Sequence, residues 1–245
     1  MAQDLSNIGP KIIMSFNGGE VVVTETVFSG AILAGVIAGS ALWLARGLKQ
    51  QPSKKQVVAE TLVEFVYNTT RNTMGAHNIN FAPYIGTIML FLVLGNALGL
   101  VGLRPITADV NMTFALSTIT FFLVQFNSFR SMGLKGKLRH MCEPYAFMFP
   151  LKVIEAVSQP ISLGFRLFGN ILAGVIVMSL IFAGLGGLCH MLSLKIPILQ
   201  AVIPLPAALF FDVFHPIIQA YIFTMLTMVF ISMEILKHGD DEHHS

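Results

Sequence analysis

The chain carries one apolar run, from Tyr145 to Leu188, that decides its fold: YAFMFPLKVIEAVSQPISLGFRLFGNILAGVIVMSLIFAGLGGL. These 44 residues are interrupted by only three charged residues and two prolines. A second run of 41 residues extends from Ile196 to Leu236. As helices, both would be roughly 60 Å long, about twice the thickness of a bilayer's hydrocarbon core. We therefore expect two steeply tilted helices, the last two of the chain, packed as a hairpin.

The composition excludes an ordinary water-soluble protein. Of the 245 residues, 54% are hydrophobic and 11% are charged, whereas soluble domains carry about 25% charged residues. The mean hydropathy is +0.73 and the formal net charge is +2, so nothing suggests a nucleic-acid partner. The two cysteines match no disulfide framework and no paired metal-ligand spacing. An integral membrane protein without a metal site or cofactor is the expectation.

Three shorter apolar segments complete an all-α plan of five membrane-crossing helices in one membrane domain, residues 1–245. The predicted spans are residues 26–45, 83–103, 110–129, 145–188 and 196–236. Between the first two spans, residues 56–74 place Val58, Leu62, Phe65 and Val66 on one helical face. This pattern predicts an amphipathic helix at the membrane interface, with a solvated linker as the alternative.

Basic residues predict the orientation. Five crossings put 11 Lys and Arg residues on one side of the membrane and three on the other. Because cytoplasmic loops are enriched in Lys and Arg, we expect residues 1–25 outside and residues 237–245 in the cytoplasm.

Arg166 is one of two charges that lie deep in apolar sequence. An ionisable side chain at the centre of a membrane costs at least ~2.5–3.5 kcal/mol on insertion scales, so it marks a candidate functional site. The alternative is an arginine that snorkels to the interface. However, Ser162, Arg166 and Asn170 are spaced four apart and share one helical face, which continues the polar stripe deeper into the membrane.

Asp212 is the second such charge, and it begins another polar stripe. Asp212, His215 and Gln219 are spaced i, i+3 and i+7, on one face of the last helix. Pro216 has no N–H to donate to the carbonyl of Asp212, which leaves an acceptor on the same stretch. Hydrogen bonds between helices would explain a lone His or Gln, whereas three polar residues in line with an acid favour a hydrated path.

These stretches closely resemble subunit a of rotary, F-type ATP synthases. PISLGFRLFGNILAG, residues 160–174, looks like the signature of that family, and QAYIFTMLT, residues 219–227, looks like its last-helix signature. DVNMTFAL, residues 109–116, is similar to a weaker family pattern. With the plan of spans, the resemblance covers the chain from about residue 26 onward.

The resemblance implies a non-catalytic stator subunit of a bacterial-type plasma membrane. Such a subunit lies in the lipid bilayer beside a ring of c subunits, with the b-subunit peripheral stalk and the remaining ATP synthase subunits as further partners. It provides two offset half-channels. By position, Arg166 matches the essential arginine that faces the ring carboxylate. Asn170 and Gln219 match the outward half-channel, and Ser162 matches a position towards the cytoplasmic one. Whether the ion is H⁺ or Na⁺ stays open.

The chain departs from one branch of this family. Some members carry a carboxylate nine residues after the arginine, where this chain has Val175, and a histidine seven residues before the glutamine, where it has Asp212. The acid is thus present once, and we assign Asp212 as the half-channel carboxylate. His215 has no firm counterpart in the family, and we include it only because it shares a helical face with Asp212 and Gln219. Gln159 stands where a basic residue is common, which leaves the cytoplasmic exit unassigned.

A secondary ion-coupled transporter is the alternative function, since it also carries buried charges. Such transporters usually contain repeated halves with broken spans at matching positions, and this sequence has no internal repeat. An intramembrane enzyme is disfavoured because the His-Glu-x-x-His, Gly-x-Ser-x-Gly and phosphate-loop motifs are absent from the sequence.

Overall fold

The computed structural model describes residues 12–16, 21–46, 54–142, 146–191 and 202–236. Within these ranges, five helices are long and apolar enough to cross a membrane, which confirms the predicted number of spans.

Helices account for nearly all of the described chain. Strands β1 (Ile12–Phe16) and β2 (Val21–Thr24) precede α1 (Glu25–Ala45), α2 (Lys54–Met74), α3 (Ala82–Ala97), α4 (Val110–Cys142) and α5 (Phe149–Met191). Then α6 (Pro204–Leu209), a π-helical turn (Phe210–Phe214) and α7 (His215–Leu236) follow one another as the last span, residues 204–236. Short 3-10 helices lie at Ala76–Phe81, Leu98–Val101, Ile106–Ala108 and Ala146–Met148.

The two strands are an addition to the all-helical prediction. They pair antiparallel, with Phe16 opposite Val21 and Ile12 opposite Thr24. Three consecutive valines in β2 favour extended backbone. Segments of four and five residues are too short to register in a search for membrane-spanning lengths, so the pair was missed.

Two predicted spans have different limits in the structure. Residues 83–103 were expected as one helix, but α3 ends at Ala97 and a 3-10 helix continues to Val101, before Gly102 turns the chain with a φ of 80°. Residues 110–129 were expected as the third span, but α4 continues through a kink at Gly133, φ 69°, to Cys142. An ion pair between Lys137 and Glu234 of α7, 3.7 Å apart, fixes the part of α4 beyond the kink against the last helix.

The other limits shift by a few residues. The first span begins at Glu25 rather than residue 26, and the amphipathic helix begins at Lys54 rather than residue 56. The fourth span, expected at 145–188, is α5 at Phe149–Met191. The expected start of the fifth, residues 196–201, lies outside the described residues, as do 1–11 and 237–245.

Two clusters of buried side chains hold the helices together. One joins α3, α5 and α7, and the other joins α2, α3, α4 and α7. The first cluster consists of Ile88, Leu92, Leu163, Leu167, Ala220 and Phe223. The second consists of Met74, Ile85, Val124, Met228 and Ile231. In both clusters α7 packs against α3, so α7 occupies the centre of the described bundle.

The last two long helices meet over a limited length. α5 packs mainly along α4, whereas α7 packs mainly on α3, α4 and α2. The two helices come close where Asn170 contacts Gln219 and where Gly174 faces Phe211, in antiparallel order. A Cβ atom at Gly174 would lie 3.2 Å from the Phe211 ring, so glycine permits this close approach. The expected hairpin thus converges at one region rather than packing along its full length.

A π-helical turn interrupts the last span at the predicted polar stripe. The N–H of His215 donates to the carbonyl of Phe210, five residues earlier, instead of to Phe211. Pro216, the next residue, has no N–H and so cannot continue either the α-helical or the π-helical pattern of backbone hydrogen bonds. Turns of this kind are rare and occur frequently at functional sites.

A buried carboxylate ties the beginning of α1 to the beginning of α4. Asp109 is 3% exposed, and its carboxylate accepts hydrogen bonds from the Thr24 hydroxyl at 3.3 Å and from the Thr26 hydroxyl. It also accepts the backbone N–H of Asn111 at 2.9 Å, which caps α4. Since α1 buries few other residues, this contact anchors its N-terminal end.

We expect Asp109→Ala to lower the stability of the protein by about 1–3 kcal/mol, because it leaves buried hydroxyl and amide donors without an acceptor. The thermal unfolding of the detergent-purified protein measures this loss. Asp109→Asn keeps an acceptor oxygen at the same place and should lose less. Equal stability of Asp109→Ala and the unmodified protein would contradict the anchoring role.

Candidate functional site

Arg166 lies on an exposed side of α5. The next residue, Leu167, is 1% exposed, and Leu163, one turn before Leu167, is 3% exposed, so the side of the helix adjacent to Arg166 is packed in the core. Among the described residues, the ion pair found joins Lys137 and Glu234, and no carboxylate pairs with Arg166. The guanidinium is thus presented outward without an acidic partner from the described parts of its own chain.

The surface around Arg166 is apolar and continues across the last span. Ser162, one turn before Arg166, is exposed on the same side of α5. Ile161 and Phe165, close to Arg166 in sequence, are exposed, and so are Ile217, Ile218 and Tyr221 on the last span. A charged group in such a surface is costly unless a partner covers it.

Asn170 and Gln219 connect the two polar stripes directly. The Asn170 amide donates from Nδ2 to Oε1 of Gln219 at 2.7 Å. Gln219 is 6% exposed and lies on the core side of α7, whereas Asn170 is half-buried. The hydrogen bond lies one helical turn along α5 from Arg166.

A cavity of about 650 Å³ begins at this hydrogen bond and extends along both helices away from Arg166. Its walls come from four segments: the first residue of α1, the end of α3 with the following loop, the second half of α5, and the start of the last span. The polar residues in these walls are Glu25, Asn96, Arg104, Asn170, Ser179, Asp212 and His215.

The structure brings four of the six predicted residues to one place. Asn170, Asp212 and His215 line the cavity, and Gln219 holds Asn170 at its inner end. Arg166 and Ser162 lie beyond this end and line the exposed side of α5 instead. The predicted set therefore divides into a group at the cavity and a pair on the exposed side of α5.

Two buried nitrogens of this group lack a hydrogen-bond partner among the described residues: Nε2 of His215 and Nε2 of Gln219. A buried polar atom without a partner costs about 1–3 kcal/mol. The His215 ring also lies beside the rings of Phe210 and Phe211, with centroids 6.3 and 6.2 Å away. These two side chains are therefore positioned to exchange hydrogen bonds with something other than their own fold.

The sequence analysis missed four polar residues of the cavity, namely Glu25, Asn96, Arg104 and, in the second half of α5, Ser179. Glu25 and Arg104 flank predicted spans on the side with few basic residues, and Asn96 is a lone amide in an apolar span. Asn96 is also fixed in place, because its side-chain oxygen accepts a hydrogen bond from Thr107. Their positions at span ends were visible in the sequence, but only packing of α1, α3 and α5 brings them together with Asp212.

The arrangement suits movement of an ion rather than bond chemistry. The cavity wall contains the carboxylates of Glu25 and Asp212, the imidazole of His215 and two amide side chains. It ends one helical turn from the guanidinium of Arg166. No group of three His, Cys, Asp or Glu residues in the described ranges is arranged to hold a metal ion.

Known proteins share extensive sequence similarity with this chain. The profile of the family described as ATP synthase A chain matches residues 27–232. The ATP synthase subunit a of Moorella thermoacetica is 31% identical over 224 residues, covering 91% of this chain and 96% of that protein. The sodium ion specific ATP synthase subunit a of Propionigenium modestum is 30% identical, covering 82% of this chain and 69% of that protein. The ATP synthase subunit a of Acidothermus cellulolyticus is 32% identical, covering 90% and 81% respectively.

Cysteines replacing Asn170 and Gln219 should form a disulfide on mild oxidation, because the two side chains are in direct contact. Electrophoresis under non-reducing conditions, after cleavage between the two helices at an engineered protease site, measures the bond. The matched control pairs Asn170→Cys with Tyr221→Cys, since Tyr221 lies two residues further on an exposed side of α7. Crosslinking of the control but not of the contact pair would contradict the described packing.

Proposed function

Because the chain belongs to the ATP synthase A chain family, we propose that it forms two offset half-channels beside a rotating ring of c subunits and that Arg166 couples H⁺ flow to the ring. Family membership makes the chain an ion-translocating, non-catalytic, multi-pass subunit of the membrane sector, in complex with other ATP synthase subunits. The secondary transporter, left open by the residues, has no support in this family.

The observation that carries the proposal is the outward-facing Arg166. Its guanidinium is exposed on an apolar helix side, and no acid in the described residues pairs with it. A carboxylate from a neighbouring subunit would supply the missing partner. We therefore assign the surface of Ser162, Phe165 and Arg166 to contact with the ring.

Simple electrostatics gives Arg166 its role. A guanidinium about 4 Å from a carboxylate favours the ionised carboxylate by about 4 kcal/mol at an effective dielectric constant of ~20. A protonated ring carboxyl that reaches Arg166 therefore releases its proton. Arginine stays charged at physiological pH, so Arg166 also opposes direct proton leakage between the half-channels.

The cavity beside Asp212 supports the outward half-channel. Protons would pass from the outer rim to Asp212 and His215 and then to the Asn170–Gln219 pair, where the ring carboxyl takes them up. The membrane potential drives each charge with ~2.3 kcal/mol per 100 mV. On the other side of Arg166, exposed Ser162 and Glu155 continue along α5 and are our candidates for the cytoplasmic half-channel.

The surroundings of the subunit follow from the same proposal. We place it in a bacterial-type plasma membrane with the N-terminus outside and the C-terminus in the cytoplasm, supported by the distribution of basic residues. The c-subunit ring and the b-subunit peripheral stalk are its proposed partners. ATP-driven ion uptake into vesicles, with and without sodium, tests H⁺ against Na⁺, because one similar relative is named as sodium ion specific.

Arg166→Ala should abolish ion transport coupled to ATP hydrolysis, while the assembled complex still hydrolyses ATP. Arg166→Lys should also be severely impaired, because an ammonium group loses its proton more readily when desolvated. Proton pumping in inverted vesicles at matched assembly measures both variants. The control is Arg130→Ala, an exposed arginine elsewhere on the chain. Near-normal pumping by Arg166→Lys would exclude the proposed coupling role.

Asp212→Asn should slow pumping by about 100-fold or more, because it removes a group that gives and takes protons. Asp212→Glu should keep most of the activity. Val175 lines the same cavity, so adding Val175→Glu to Asp212→Asn should restore part of the flow. Leu180→Glu, an acid on the same helix outside the cavity lining, is the control and should restore nothing. Full pumping by Asp212→Asn would leave Asp212 without a relay role.

A further inference from the structure

A second carboxylate belongs to the cavity that contains Asp212. Glu25, the first residue of α1, is half-buried and lines the cavity wall, together with Arg104, Asp212 and His215. Among the described residues that line this cavity, Glu25 and Asp212 are the two acids.

Glu25 lines the cavity from the start of α1, on a different element from the Asn170–Gln219 pair. α5 lines the cavity from Phe168 to Phe182, and the last span runs antiparallel to it, from Phe211 to Pro216. The remaining wall is the loop after α3 and the beginning of α1, both at span ends. The start of a span is a membrane boundary, so we take Glu25, with the loop after α3, as the outer rim of the cavity.

Neighbouring contacts fix the direction of Glu25. Thr24 and Thr26, the residues on either side of it, both donate hydrogen bonds to the buried Asp109. Thr24 additionally accepts the N–H of Val27 at 3.4 Å and so caps α1. This doubly anchored turn commits both threonines to Asp109 and leaves Glu25 directed to the cavity. Asp109, itself fully engaged in hydrogen bonds, does not line the cavity and offers no substitute.

We propose that Glu25 is the proton-collecting carboxylate at the outer rim of the cavity, passing protons through the cavity to Asp212. Free protons are scarce near neutral pH, and an anionic group at the mouth of a low-dielectric cleft raises the local concentration and the arrival rate of cations. Capture by Glu25 followed by release into the cavity transfers one proton and leaves the carboxylate ready for the next. This inference rests on the proposed function of the cavity as the outward half-channel.

A purely structural alternative exists for the same residue. An acid in the first turn of a helix stabilises the helix N-terminus by about 0.3–1 kcal/mol. The two roles predict different responses to a mobile buffer. Collection matters only when protons limit the rate and becomes dispensable when a mobile buffer delivers them, whereas helix stabilisation does not depend on the buffer.

The test uses the complete ATP synthase, reconstituted in liposomes with its nucleotide-binding head outward, so that the outer rim faces the lumen. ATP synthesis driven by a potassium diffusion potential is measured with the lumen loaded with little or much of a small mobile buffer at one pH. At low buffer, Glu25→Gln should synthesise ATP about tenfold more slowly. High buffer should restore its rate. Glu25→Asp should remain near the unmodified rate in both.

Two further variants separate the outcomes. Glu64→Gln, an exposed acid on α2 outside the cavity, is the matched control and should be unchanged in either buffer. Asp212→Asn should fail in both buffers. An unmodified rate in Glu25→Gln at low buffer, or a loss that buffer does not restore, overturns the assignment of Glu25. If Asp212→Asn still fails in that case, the proposed half-channel stands, and if Asp212→Asn is also normal, both proposals fall.

Discussion

The fold is organised around a positive charge that its own described residues leave unpaired. A guanidinium within apolar sequence is costly, and the chain meets that cost by its arrangement rather than by an internal salt bridge. Leu163 and Leu167 of α5 pack into the core formed with α3 and α7, which leaves the adjacent side of the helix, with Arg166, at the surface. The same orientation of α5 about its axis places Asn170 against Gln219. The orientation of α5 about its own axis therefore determines both which side chains the subunit presents to a neighbour and where its cavity ends.

The Asn170–Gln219 hydrogen bond divides the site into two environments. On one side is a cavity whose wall includes several polar side chains. On the other side is an open apolar surface that carries the arginine. An ion that crosses the membrane by this route has to leave the chain at the boundary and continue on another molecule. That division is the physical content of the proposed rotary coupling, because a continuous pore through the subunit would let ions pass without turning anything.

Much of this plan could be predicted from the sequence, because its main constraints are local or depend on span length. The number of spans followed from apolar run lengths, and the facing stripes followed from spacings of three and four residues. The sequence did not reveal the packing order, in which α5 lies mainly on α4 while α7 packs on α2, α3 and α4. Nor did it reveal that Glu25 and Arg104 reach the cavity of Asp212, because residues from distant spans are brought together only by tertiary packing. The π-helical turn at Phe210–Phe214 was equally hidden, since a count of 3.6 residues per turn assumes an uninterrupted helix.

The four-part wall of the cavity has a consequence for biosynthesis. Chains are made and inserted from the N-terminus, so α1, α3 and α5 are in place before residues 204–236 leave the ribosome. Until then the cavity lacks the wall that carries Asp212 and His215, and Asn170 lacks the partner that closes its inner end. A chain that ends before residue 204 therefore contains the arginine but not the complete cavity beside it. The order of the helices along the chain therefore delays formation of the complete cavity until the last step of synthesis.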